Sequence, residues 1–297
     1  MSPWQDERTE NVGGPVSDNQ NLLAGQRRAL ILDEVRRRGG IRVSELTRML
    51  QVSDMTVRRD LDVLARQGAL EKVHGGAVPV PERRTHEPGF EAKSALELSA
   101  KSAIARAAAG LASPGSAVAL SGGTTTFAVA HELLEVPELT VVTNSVRVAD
   151  VFHHARGAGE AGNSHDGADT ARVVLTGGVR TPSDSLVGPV ADAAIASLHF
   201  DVLFLGVHGI SVEAGLSTPN LAEAETNRHF IRSARRVVVV ADHTKWGTTG
   251  LSSFASLDDV DTWVTDSGLP DSDREEIADH LAELVIAGGE TPDQRPA

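Results

Sequence analysis

Hydrophobic and polar positions alternate with two different rhythms along the chain. From Gln26 onward Leu30, Ile31, Glu34 and Val35 recur at helical spacing, and Gly39-Gly40 stop the run after three arginines, which predicts a first helix. Ile41 to Val43 is a short β-prone piece. Ser44 is placed to cap a second helix carrying Leu46, Met49 and Leu50, and Gln51-Val52 makes a tight turn. Ser53 caps a third helix, from about Asp54 to Gln67, with Val57, Leu61 and Leu64 on one face and Gly68 at its end. Ala69 to Val78, with Leu70, Val73 and a Gly75-Gly76 turn, reads as a two-stranded wing. Three short helices and a hairpin within residues 26–80 predict a winged helix-turn-helix, mainly α.

The second rhythm begins near Lys93, after a stretch rich in proline and charge (residues 81–92) that reads as a linker. Apolar β-branched runs now alternate with helical stretches: SAVAL, a helix from Thr125, LTVVT, a helix from Ser145, ARVVLT, a helix near Val187 to Leu198, DVLFLGV, a helix from Asn220 to Ala234, RVVVVA, DTWVTD and a terminal helix. That order predicts an α/β domain over residues 93–288, with a mostly parallel sheet covered on both faces. Residues 156–170, rich in Gly, Ala and Asp, read as a flexible insertion, and residues 1–25 and 289–297 as disordered tails. His153, His154, His165, Asp166 and Asp169 gather around the insertion, but mobile polar loops seldom preorganise ligands, so no metal site is expected.

Charge changes the picture of the first segment. The net charge of −13 over 297 residues is unevenly spread: residues 26–84 hold 13 Lys/Arg against 8 Asp/Glu, whereas residues 85–297 hold 14 against 29. A basic module on an acidic body contacts phosphates locally while the body repels the duplex. Helix three has the parts of a recognition helix: a cap, polar residues in its first turn and two arginines. Ser53, Met55, Thr56 and Arg59 are candidates for the groove face, Arg58 for a phosphate or base contact, and Lys72 and His74 on the wing for a flanking phosphate or the minor groove. The chain has no cysteine, which excludes disulfides and thiolate metal sites. It shows no apolar run of transmembrane length, and its first residues are polar and acidic, so a cytoplasmic protein without membrane association is expected.

In open α/β sheets ligands bind beyond the carboxyl ends of the strands. Here those positions are polar and glycine-rich: Ser121-Gly122-Gly123-Thr124-Thr125-Thr126 after SAVAL, Thr143-Asn144-Ser145 after LTVV, Thr176-Gly177-Gly178 after ARVVL, and Asp242 to Lys245 after RVVVV. Glycines permit close backbone approach, and hydroxyls with free helix amides suit an anion.

Two groups of motifs carry a family resemblance. Ile41-Arg42-Val43-Ser44-Glu45-Leu46, Ser53-x-x-Thr56-Val57-Arg58-Arg59-Asp60-Leu61 and Leu70-x-x-Val73-His74-Gly75-Gly76-Ala77 resemble the DNA-binding domain of the DeoR family of bacterial regulators. From about Lys101 to Asp266 the order Ser121 to Thr126, Thr143 to Ser145, Gly177-Gly178, Gly188-Pro189, Phe204 to Ile210, Gly215 to Pro219, Glu223 to Glu225 and Ala241 to Gly247 resembles that family's sensor domain, itself similar in fold to ribose-phosphate isomerase and glucosamine-phosphate deaminase. The resemblance implies a repressor of carbohydrate-metabolism genes, released from its operator by a phosphorylated sugar or related metabolite, with no cofactor. It implies that Gly123 to Thr126 and Ser145 hold a phosphate, Glu223 a sugar hydroxyl, and Lys245 the phosphate or a carbonyl oxygen. Ser121, Gly122, Asn144, Gly177, Gly178 and His208 complete the candidate effector site.

Where many relatives carry aspartate, this chain has Ser121 and His208. An isomerase or deaminase with an accessory DNA-binding module is the alternative, with Glu223 as proton-transferring base, but the carboxylate that would assist it is replaced by His208, so no catalytic residue is expected. A third reading is a DNA-binding oligomer whose α/β domain only assembles. The expected partners are double-stranded operator DNA, a small effector and further copies of the chain, as a dimer or tetramer.

Overall fold

The computed structural model describes residues 23–66, 68–79, 85, 87–158 and 171–288. Of the tail expected over residues 1–25, Ala24 and Gly25 instead open a helix, and of the insertion expected over 156–170, residues 156–158 end one; residues 1–22, 159–170 and 289–297, with His165, Asp166 and Asp169, lie outside the described residues. The chain divides into two compact units, one of residues up to Arg66 with Leu70–Pro79 and the other of Gln67–Ala69 with the chain from Val80.

In the first unit α1 (Ala24–Arg38), β1 (Ile41–Arg42), α2 (Val43–Leu50), α3 (Asp54–Arg66), β2 (Glu71–Val73) and β3 (Gly76–Val78) follow one another. Ile31, Leu32 and Val35 of α1 pack into a core with Leu46 and Leu50 of α2 and Val57, Leu61 and Leu64 of α3. Leu30, expected on the inner face of α1, is instead 40% exposed, and Leu32 takes its place. Ser44 does not cap α2. The helix starts two residues earlier, with Arg42 in the cap position and its backbone N–H donating to Glu45 Oε2 at 3.0 Å. Ser53 does cap α3, accepting from the Thr56 amide at 3.2 Å. The wing is joined by β1, giving a three-stranded antiparallel sheet in the order β1-β3-β2 among the described residues. Gly76 makes that closure possible, because a side chain there would run into the Ile41 carbonyl.

The second unit begins earlier than its rhythm suggests. Residues 87–92, read as linker, are folded: α4 (Phe90–Ser94) buries Phe90 and Ala92. Next come α5 (Leu98–Ala109), β4 (Ala117–Leu120), α6 (Thr124–Glu132), β5 (Thr140–Thr143), α7 (Val146–Ala158), β6 (Arg172–Leu175), β7 (Val179–Arg180), β8 (Leu186–Val187), α8 (Pro189–Ala196) and β9 (Val202–Leu205). The chain continues through β10 (Gly209–Ser211), β11 (Gly215–Thr218), α9 (Leu221–Ser233), β12 (Val237–Val240), β13 (Ser252–Ala255), β14 (Thr262–Asp266), α10 (Asp271–Ala278) and β15 (Glu283–Ala287).

Among the described residues seven strands form one parallel sheet in the order β15-β14-β12-β9-β4-β5-β6. Successive side chains of a strand point to opposite faces, so runs such as VVVV must be buried on both. Val118 and Leu120, Phe204, and Val238 and Val240 join one apolar cluster with α5, α6 and α7. Ala119, Leu203 and Leu205, and Val237 and Val239 join the other, with α8, α9 and α10. The terminal helix is not the last element: ELVIA after it forms β15, which closes the sheet beyond β14. A small antiparallel sheet, β10-β11-β13, and the β7-β8 hairpin were not foreseen.

Candidate DNA-binding and effector sites

On α3 the apolar face is buried and the other faces are open. Met55 is 75% exposed, and Ser53, Arg58 and Arg59 are also exposed, with Thr56 half-buried. A concave surface along α3 is lined by Met55, Arg58, Arg59, Asp62, Ala65 and Arg66. Both ends of the helix carry acid partners for the basic groups. Arg58 pairs with Asp54 one turn before it, and Lys72 of the wing pairs with Asp62. Arg59 has no such ion pair among the described residues, and His74 stands exposed at the tip of the wing. Asp60, inside the same signature, faces inward: it is 5% exposed and takes the Arg27 guanidinium Nε at 2.6 Å, tying α3 to α1.

In the α/β unit the order of strands fixes where a site can form. The chain leaves β4 in one direction for β5 and β6 and returns on the other side as β9, so the crevice beyond the carboxyl ends of β4 and β9 is the topological switch point. Two polar turns meet there. Ser121, just after β4, is buried, and its Oγ accepts from the Gly206 amide just after β9 at 2.9 Å. Gly122 comes so close to Ser185 that a side chain at 122 would overlap its hydroxyl. Gly123 precedes α6, and Thr124, Thr125 and Thr126 form that helix's first turn, where backbone amides lack intrahelical partners. Thr126 donates to the Gly123 carbonyl at 3.0 Å.

Asn144 clamps this turn from β5. Its Oδ1 accepts from the Gly122 amide at 2.8 Å, and its Nδ2 donates to the Leu186 carbonyl at 2.9 Å. Ser145 caps α7, its Oγ accepting from the Val148 amide at 3.3 Å. Gly177 and Gly178 both have positive φ and turn the chain from β6, at one edge of the sheet, into the β7-β8 hairpin.

On the other side of the switch point, Asn220 caps α9 and Glu223 sits in its first turn, with Thr218 Oγ1 donating to Glu223 Oε2 at 3.0 Å. Burial pushes the Glu223 carboxyl above its usual range, opposed by nearby Lys93 and reinforced by Glu87. Beyond β12, Asp242 is buried yet held below the usual carboxylate range: desolvation opposes this, but Lys245, the Thr244 hydroxyl and Lys101 outweigh it. Lys245 is half-buried beside it, and His208 is half-buried three residues past β9.

The sequence reading missed Glu87, Lys93 and Asp184. Glu87 accepts from the Ser183 amide at 3.2 Å and from Asn220 Nδ2 at 2.9 Å. Asp184 takes Arg147 Nε at 2.6 Å and Arg180 Nε at 2.7 Å. Among the described residues no group of three His, Cys, Asp or Glu side chains is arranged to hold a metal, and no helix is long and apolar enough to cross a membrane.

Comparison with known proteins agrees with this division of the chain. Residues 27–82 match the family model of the DeoR-like helix-turn-helix domain, and residues 97–267 that of the DeoR C terminal sensor domain. The chain belongs to the DeoR family of transcriptional regulators. A putative aga operon transcriptional repressor of Escherichia coli O157:H7 is 33% identical, covering 89% of this chain and 94% of its own. The regulator GlpR of Haloferax volcanii is 37% identical over 86% of this chain and 95% of its own. The glycerol-3-phosphate regulon repressor of Escherichia coli K12 is 32% identical over 88% and 98%. This DeoR-family chain is a transcriptional regulator that joins a helix-turn-helix domain to a sensor domain. A ribose 5-phosphate isomerase from Plasmodium falciparum superposes with a TM-score of 0.33 at 14% identity, over 51% of this chain and 54% of that one. That likeness is too loose to carry an argument.

Proposed function

We propose that this repressor acts in the cytoplasm on carbohydrate-metabolism genes and leaves its operator when a phosphorylated sugar or related metabolite fills the crevice at the β4/β9 switch point. The observation that carries the reading is the meeting of the Ser121–Thr126 turn with the start of α6 at that crevice. Backbone amides at a helix start, hydroxyls and close-approaching glycines are what an anion needs. Glu223 takes a sugar hydroxyl and Lys245 the anion. Ser121 and Asn144 set the shape of the turn, Ser145 and Thr124 to Thr126 offer donors, and Gly177-Gly178 and His208 stand at its margins. A relative named for a glycerol-3-phosphate regulon favours a phosphorylated effector.

On DNA, Ser53, Met55, Thr56 and Arg59 face the major groove, Arg58 takes a phosphate or base once released from Asp54, and Lys72 and His74 reach the flanking backbone. One winged helix covers few base pairs, so the active form is a dimer or tetramer reading repeated half-sites. Operator fragments recovered with the protein and titrated with a panel of sugar phosphates test the reading. Release without turnover is expected for one of them, and Lys245→Ala weakens that response by about 1.5 to 3 kcal/mol while leaving operator affinity nearly unchanged. Turnover of any panel member, or full response from Lys245→Ala, overturns it.

A further inference from the structure

The cation expected in the site from its motifs is Lys245, yet a second stands beside it. Lys93 lies on α4, in the stretch that follows the reading module by sequence, and is within electrostatic reach of Lys245, Glu223 and Glu87. Its place is held from both flanks. Six residues before it, Glu87 is fastened to the Ser183 amide and to Asn220, the residue that caps α9 at Glu223. Eight residues after it, the buried Lys101 donates through Nζ to the Lys93 carbonyl at 2.6 Å and also to the Leu96 carbonyl. Among the described residues no ion pair or hydrogen bond takes the ammonium of Lys93 or of Lys245 directly. Burial and Lys245 push the Lys93 ammonium below its usual range, and the nearby carboxylates only partly oppose this.

Two ammonium groups within electrostatic reach of one another repel, and a dianion bound between them relieves that repulsion. A phosphomonoester is the common metabolite headgroup with that charge near neutral pH. Resting on the effector reading above, we propose that Lys93 is the second cation of the site, closing with Lys245 on the phosphate of the effector, and that the segment from Glu87 to Lys101 is therefore part of the ligand-binding surface. Glu223 and Glu87, which steady Lys93 in the free protein, are left to accept hydroxyls of the rest of the ligand.

Calorimetric titration of the full chain with inorganic phosphate tests this, using wild type, Lys93→Met, Lys93→Arg and Lys245→Ala. Methionine keeps the buried stem of the side chain and arginine keeps the charge, and each variant's unfolding midpoint is checked first. A tenfold to hundredfold weaker phosphate affinity is expected for Lys93→Met, with most of it restored in Lys93→Arg. If Lys93→Met binds phosphate as wild type does while Lys245→Ala does not, Lys93 is no part of the site and the effector reading stands. If wild type itself binds no phosphate, the effector reading fails and the second cation with it.

Discussion

Asn144 was expected among the effector contacts, yet its carboxamide is spent on the protein itself, and the two roles predict different losses. Replacing it by alanine removes the acceptor of the Gly122 amide and the donor to the Leu186 carbonyl. Asn144 is 1% exposed, so water does not reach the vacated space freely. Each orphaned buried backbone group costs about 1 to 3 kcal/mol, so Asn144→Ala should destabilise the α/β unit by roughly 2 to 6 kcal/mol. Against a domain stability of about 5 to 15 kcal/mol that is a large fraction. A 3 kcal/mol loss moves the urea midpoint down by roughly 1 to 3 M at the usual slopes for small proteins. Urea unfolding followed by far-ultraviolet circular dichroism reads the shift, with operator release by effector measured on the protein that remains folded at low temperature. A midpoint equal to wild type, together with lost effector response, would refute the clamp and make Asn144 a ligand contact.

Two further predictions concern the reading helix and an acid-sensitive tie. Arg58→Ala and Arg59→Ala should each weaken operator binding with the unfolding midpoint unchanged. A base-reading arginine costs about 1 to 3 kcal/mol and relaxes specificity, whereas a phosphate contact lowers the salt slope by about 1; operator affinities like wild type for both would show α3 to be misassigned. Burial raises the Asp184 carboxyl, but hydrogen bonds from Arg147 and Arg180 hold it net below its usual range. Its stabilisation is therefore complete above the unfolded value of about 3.9 and fades as pH falls through the lower folded value. Asp184→Asn should be less stable than wild type at pH 7, with the gap closing in acid; a gap that persists below that window counts against the ion pair.

How far the sequence foretold the fold depends on whether the deciding interaction is local. Val57, Leu61 and Leu64 announce α3 by spacing alone, and VVVV announces β12, because burial on one stripe or on both faces writes itself into neighbouring positions. ELVIA was not foreseen as a strand beyond the terminal helix; pairing with the open edge of β14, a non-local interaction, makes it one. The short strands β10, β11 and β13, of three or four residues each, carry too few residues to show a period. In the site, the glycine-rich turns were plain from composition, and their meeting at the switch point follows from strand order. Glu87 was hidden in a stretch of proline and charge without rhythm, and Lys93 stood at its end with no motif around it, because what folds that stretch is the Asn220 carboxamide and the Ser183 amide, contributed from distant parts of the chain.

If a small effector releases this protein from DNA as proposed, the position of Lys93 bears on how. A ligand shifts an equilibrium only by the difference between its affinities for the two states, so an effector that touched nothing sensitive to operator binding would fill the crevice without consequence. By sequence only residues 80–86 separate the segment that carries Glu87 and Lys93 from Pro79, the last residue of the reading unit. On the proposed reading, an anion that draws Lys93 away from Glu223 and Glu87 acts on the stretch of the α/β unit that follows Pro79 in the chain. Linkage then requires reciprocity: operator DNA must weaken effector binding by the same factor by which effector weakens operator binding. If Lys93 carries that coupling, Lys93→Arg should preserve phosphate affinity more fully than it preserves the reciprocal factor, since the guanidinium restores the charge but not the compact ammonium's fit between two carboxylates and Lys245.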